Sequence, residues 1–169
     1  MKDRKRNRLQ EYDYSQTAYY FVTLCTDNHK PVFGKIINGE MILNQFGCII
    51  KNNWLRIQTF HENIELNEFI IMPNHIHGII IVDNVGNANL AFPTDRTKML
   101  LSKIIQQFKR ACSIKIKNKF NYHLPLWQRS FYDRIIRNEN ELYQIRKYVL
   151  QNPLKWEIEN NSIENLELQ

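Results

Sequence analysis

Cysteine is scarce in this chain and never paired in sequence. Cys25, Cys48 and Cys112 are its three copies, far apart and with no Cys-x-x-Cys. That argues against a disulfide framework or a zinc knuckle and for thiols kept reduced. No apolar run approaches the roughly 20 residues of a membrane helix. The charged start, Met1 to Arg8, is followed by no apolar signal core. A cytoplasmic, nucleoid-associated protein with no membrane partner is the expectation. Internal repeats and domain linkers are absent too. The 169 residues are therefore read as one domain with its own core. It has a basic arm at 1–11, a body at 12–156 and an acidic tail at 157–169.

Two further absences concern charge. The tail carries Glu157, Glu159, Glu164 and Glu167 but no Lys or Arg, and the stretch from Lys103 to Lys119 holds six cations but no acid. The chain as a whole has a formal charge of +6 and a pI near 9.2, so its positive excess lies upstream of the tail. A polyanion such as nucleic acid is the partner this balance suggests. Arg4, Lys5, Arg6 and Arg8 in the arm, Lys103, Lys109 and Arg110 in the acid-free stretch, and Arg129 further on are the candidate phosphate contacts.

Periodicity supplies the elements. Residues 19–25, Tyr-Tyr-Phe-Val-Thr-Leu-Cys, are aromatic and β-branched and predict a strand. Asn38-Gly39 between short apolar runs predicts a small hairpin within 32–43. Asn44 is a helix cap, and Phe46, Ile49, Ile50, Trp54 and Ile57 form the buried stripe of a helix over about 45–58. Residues 64–72 and 75–83 predict two arms of an antiparallel hairpin broken at Pro73-Asn74. After a loop at 83–93, a helix starting at Thr94 or Asp95 reaches about residue 117, with Leu101, Ile104, Ile105, Phe108 and Cys112 inward. Trp127 to Ile136 predicts a fourth main strand. Asn138 caps a last helix, with Glu139 and Glu141 favourable to its dipole and Pro153 as its stop. The order is βαββαβ followed by a helix. This is an α+β, ferredoxin-like arrangement: an antiparallel sheet with helices on one face plus a C-terminal helix.

Within this order, His75-Ile76-His77 stands at the start of an apolar strand. Alternation puts both imidazoles on one face and Ile76 on the other. On the last helix, Leu142, Ile145 and Val149 fall within about 60° of arc. Tyr148 lies at the edge of that stripe, with Asn152 about 40° from it. Tyr143 points the opposite way. Two imidazoles and an amide oxygen can hold Mn²⁺ or Mg²⁺ with positions left open for phosphate oxygens. A metal-assisted phenol nucleophile would leave a covalent phosphotyrosine.

Met72-Pro73-Asn74-His75-Ile76-His77-Gly78 resembles the His-hydrophobic-His (HUH) motif of the single-tyrosine transposases. Three other stretches resemble the REP-associated tyrosine transposase branch. They are Tyr12-Asp13-Tyr14-Ser15 leading to Tyr20-Phe21-Val22-Thr23, then Trp127-Gln128-Arg129-Ser130-Phe131-Tyr132, then Ile145 to Pro153. The likeness runs in order over roughly residues 10–156. It implies a ferredoxin-like fold, with His75 and His77 as the metal pair, Tyr148 as the nucleophile and Asn152 as the third metal ligand. It also implies a divalent metal, Mg²⁺ or Mn²⁺, and a single-stranded DNA hairpin from a repetitive palindromic element. The strand is cut beside the hairpin through a 5′-phosphotyrosine and later rejoined. Related enzymes often use glutamine as third ligand, which makes Gln151 a rival to Asn152. Relatives often carry histidine where Arg134 stands here. The pattern leaves monomer and homodimer both open. The alternative expectations are a catalytically silent nucleic-acid-binding protein of the same fold and a metal hydrolase that uses water.

Overall fold

The computed structural model of the protein describes residues 18–83 and 100–167, with side chains described up to residue 159. The basic arm with Arg4, Lys5, Arg6 and Arg8, the Tyr12–Ser15 stretch, the 84–93 loop and the expected helix start at Thr94 or Asp95 lie outside the described residues.

Strand β1 (Ala18–Cys25) is central. It pairs antiparallel with β5 (His75–Val82) on one side and β6 (Tyr132–Ile136) on the other, and β5 pairs with β4 (Ile64–Ile71), giving the order β4-β5-β1-β6. This is the expected ferredoxin-like sheet, and β4–β5 is the expected hairpin. A second, two-stranded sheet joins β2 (Gly34–Ile37) to β3 (Glu40–Leu43). Its turn residues Asn38 and Gly39 have φ of 53° and 74°, the doubly left-handed conformation that Asn-Gly accommodates.

The layers follow from alternation. Tyr20, Val22, Leu24, Ile76 and Ile80 face one side of the sheet. There they meet α1 (Gln45–Leu55), the short α2 (Ile57–Phe60) and α3 (Leu100–Phe120), which bring Ile50, Trp54, Ile57, Leu101, Ile104, Ile105, Phe108, Cys112 and Ile116. Helix α1 starts as expected, with Asn44 Oδ1 accepting from Gly47 N at 3.0 Å. The expected single helix over 45–58 is interrupted at Arg56, whose carbonyl accepts from both Thr59 N and Thr59 Oγ1. On the other side of the sheet, Ile79 and Ile136 pack with Leu142, Ile145 and Val149 of α4 (Glu139–Glu167). Among the described residues, the sheet is thus covered on both faces, with α4 the one helix on the second face.

Gly78 is explained by this packing. A Cβ there would lie 2.3 Å from Trp54 Cζ2, so only a residue without a side chain lets β5 approach α1 at this point. Gly78→Ala should cost about 1–3 kcal/mol through overpacking. Chemical denaturation would measure the loss, and an unchanged midpoint would show that Trp54 moves freely.

Two expectations about chain ends of elements are corrected. The fourth strand begins at Tyr132, not Trp127. Trp127 makes only an isolated bridge to Thr26, and the carbonyls of Gln128 and Ser130 accept from Lys109 Nζ, both at 2.9 Å. A lysine of α3 takes the place of a neighbouring strand. Pro153 does not stop the last helix, which runs through to Glu167. An interior proline forfeits one helix hydrogen bond at a cost of about 3 kcal/mol. Packing offsets that cost: Asn152 and Pro153 are buried, Leu154 sits against Gly39, and the Trp156 ring lies 5.8 Å from that of His75. The start of the acidic tail at residue 157 therefore falls inside a continuous helix. Among the described residues no helix is long and apolar enough to cross a membrane.

Candidate active site

His75 and His77 open β5 and face the same side as Ile79, toward α4, while Ile76 is wholly buried on the reverse face. Their rings lie 4.5 Å apart, centroid to centroid. Strand register sets Thr23 beside His77 and Cys25 beside His75. Thr23 Oγ1 is 2.9 Å from His77 Nδ1, and Phe21, two residues earlier on the same face, stacks on the His77 ring at 5.3 Å. Asn74 Oδ1 is 2.6 Å from His75 Nδ1. Each imidazole thus has an oxygen at its Nδ1.

Helix α4 brings the remaining groups. Tyr148 Oη lies 3.2 Å from His77 Nε2, and its ring meets Phe21 edge-on at 6.2 Å. The tyrosine is 40% exposed as a residue. Asn152, one turn on, is buried and lines the same cavity of about 350 Å³ as both histidines and Tyr148. Gln151 is exposed and is not among the residues lining it. The helix is held to the edge strand by Arg146 Nε, which donates to Asn67 Oδ1 at 2.9 Å and Glu68 Oε2 at 3.0 Å. Both acceptors sit where the β4–β5 register shifts. Arg134 forms an ion pair with Glu141 of the first turn of α4.

Burial sets the protonation of the pair. It pushes the His75 pKa down to about 4, with the charge of His29 adding to the effect. It pushes His77 down to about 3, with His75 adding. Both rings are therefore neutral near pH 7, the form that binds metal. Their folded pKa values lie below the ordinary 6.5, so between these limits the unfolded chain binds more protons. The stability they contribute is fully present above pH 6.5 and is lost as pH falls through the window toward about 4 and about 3. Without divalent cations, the denaturation midpoint should be lower at pH 5 than at pH 7.5. The drop should shrink in His77→Gln, and an equal drop in both proteins would contradict the assignment.

The donor set suits a small divalent cation. Among the described residues no three His, Cys, Asp or Glu side chains cluster as a metal site, so the candidate donors are His75, His77 and the Asn152 amide. Oxygen partners at both Nδ1 atoms are the outer support that imidazole ligands usually have.

The expected phosphate contacts are dispersed. Lys103 and Arg110 are exposed, but α3 lies across the sheet from the histidines. Lys109 is half-buried, binds two backbone carbonyls, and has its pKa pushed down to about 8 by burial. Its ammonium serves the 127–131 segment. Arg129 is exposed and follows Gln128, whose amide nitrogen lies 3.0 Å from His29 Nε2 at the cavity rim. Sequence reasoning did not assign roles to Thr23, Phe21, Asn74, His29, Lys155 or Trp156, all of which surround the site. Strand alternation alone would have aligned Thr23 with Phe21, but not with His77.

No family model matches the chain. It is 37% identical over 163 residues to an uncharacterized protein of Haemophilus influenzae, covering 91% of this chain and 90% of that one. Over 146 residues it is 28% identical to a second protein of that species, described as a "putative REP-associated tyrosine transposase", covering 85% and 74%. In fold it is similar to a REP-associated tyrosine transposase solved bound to a REP hairpin, with a TM-score of 0.55, 18% identity and coverage of 92% and 74%. It is also similar to a "putative transposase" of Deinococcus radiodurans, with a TM-score of 0.50, 16% identity and coverage of 84% and 95%.

Proposed function

Because this chain resembles the REP-associated tyrosine transposases in sequence and in fold, we propose that it is a divalent-metal-dependent strand transferase acting on single-stranded DNA beside a hairpin. The observation that carries the reading is the meeting of Tyr148 with His77, 71 residues apart in sequence and 3.2 Å apart in space. A phenol beside two neutral imidazoles and an amide, in one accessible cavity, is suited to nucleophilic phosphoryl transfer.

His75, His77 and Asn152 would hold Mg²⁺ or Mn²⁺. Such an ion, when bound, offsets charge on the scissile phosphate and favours the ionised phenol. Phe21 braces both the His77 and Tyr148 rings, which keeps nucleophile and metal donor in fixed relation. Arg146 anchors the helix two residues before Tyr148. In the step itself the Tyr148 oxygen bonds to phosphorus and the bond to the 3′ oxygen breaks. The phenol proton passes to solvent, and the departing 3′ oxygen takes a proton from solvent to become a hydroxyl. The 5′-phosphotyrosine retains the phosphodiester energy, so a 3′-hydroxyl can later reverse the step.

The partner is proposed to be a hairpin because the solved neighbour is bound to one. The test is incubation with end-labelled single-stranded hairpins from the source genome, with and without Mn²⁺, followed by denaturing electrophoresis. A protein-linked labelled band is expected only with the cation. Cut DNA with protein-free ends would instead indicate water as nucleophile. Binding without cutting on any hairpin would indicate a silent binding protein.

A further inference from the structure

Asn74 immediately precedes the first histidine, and its bonding leaves no freedom of assignment. Its Nδ2 donates to the His29 carbonyl at 3.0 Å. A carbonyl only accepts, so this bond fixes which way the amide faces. Oδ1 then faces His75 Nδ1 at 2.6 Å. An amide oxygen also only accepts, so Nδ1 must carry the ring proton. A neutral imidazole has one such proton, which leaves Nε2 as a lone pair. His77 is not determined in this way, because the Thr23 hydroxyl beside its Nδ1 can donate or accept.

The asparagine is itself firmly held. It is 9% exposed, and its carbonyl accepts from Thr26 N at 2.9 Å, with the Thr26 hydroxyl, shared with the Lys30 carbonyl, also 2.9 Å away. The turn it reaches contains Asn28 and His29 with φ of 50° and 53°, consecutive left-handed residues that need external support. His29 and His75 line the same cavity. One side chain therefore joins the metal strand to the turn that forms the cavity's rim.

We propose that Asn74 is a positioning residue. It holds His75 as the Nδ1–H tautomer, leaves Nε2 as the metal donor, and ties that ring to the Asp27–His29 turn. The donor role rests on the metal reading above; the tautomer does not.

Long-range ¹H–¹⁵N spectra of metal-free wild-type protein at pH 7.5 should show His75 protonated at Nδ1 and bare at Nε2. An Nε2–H ring in the wild type overturns the proposal. Asn74→Asp keeps the acceptor oxygen and should keep the tautomer. Asn74→Leu removes it, and should give mixed tautomers and a roughly 10–100-fold weaker affinity for Mn²⁺, read from free Mn²⁺ by electron paramagnetic resonance. An unchanged tautomer and affinity in Asn74→Leu also overturns it. Should that variant fail to fold, the wild-type and Asn74→Asp spectra decide. A wild type that has the Nδ1–H ring but binds no Mn²⁺ defeats the metal reading and leaves the tautomer assignment standing.

Discussion

Tyr148→Phe is expected to abolish the covalent protein–DNA adduct, lowering its rate of formation by at least about 10³-fold, as loss of a nucleophile does elsewhere. Hairpin affinity should change little. The substitution removes one oxygen at the site's accessible edge and keeps the ring that packs against Phe21 and His77. The measurement is denaturing electrophoresis of labelled DNA beside a binding titration on the same preparations. Eight tyrosines are available in the chain, so the substitution tests a choice. A surviving adduct would mean that another tyrosine attacks. Tyr143, on the opposite side of the helix and 63% exposed, makes the matched control, and Tyr143→Phe should leave adduct formation intact.

His77→Ala should be the second large effect. His77 is 7% exposed, with Thr23 at one nitrogen and Tyr148 at the other. On the proposed reading, removing it deletes a metal donor, and in the metal-free protein it deletes the hydrogen-bond neighbour of the Tyr148 hydroxyl. Affinity for Mn²⁺ should fall by more than the roughly 10–100-fold typical of losing an outer partner, and adduct formation should fall with it. His75→Ala should lower metal affinity as well but leave the Tyr148 hydrogen bond in place. The two variants thus separate metal loading from placement of the nucleophile. Calorimetric titration of Mn²⁺ gives the affinities, and thermal melting verifies that the variants remain folded. Cleavage that continues at full rate in either variant without divalent cations would remove the metal from the mechanism.

Misread places share a cause. Residues 127–131 have the composition of a strand, yet the carbonyls of Gln128 and Ser130 are taken by Lys109, a partner about twenty positions upstream that no local pattern announces. Pro153 reads as a helix stop because the local cost is real. The compensation comes from the β2–β3 turn and from His75, both distant in sequence. Packing likewise decides that the acid-free stretch of α3, a candidate phosphate-binding face, lies on the sheet layer opposite the histidines. That Asn152 rather than Gln151 lines the cavity also depends on packing, since both follow Tyr148 within about one helical turn.

What the chain determines by itself is what backbone geometry repeats over a few residues. A period of two sets His75 and His77 on one face with Ile76 behind them. A period of 3.6 sets Tyr148 and Asn152 on one edge of a helix. Asn44 as cap, Asn38-Gly39 as turn and the βαββαβ order follow from equally local rules. Only the tertiary structure decided that α4 covers the histidine face, and that Thr23 and Tyr148, 54 and 71 residues away in sequence, both meet the ring of His77. Pairing and face selection depend on which apolar surfaces bury one another. That is a property of the whole chain, which no local window contains.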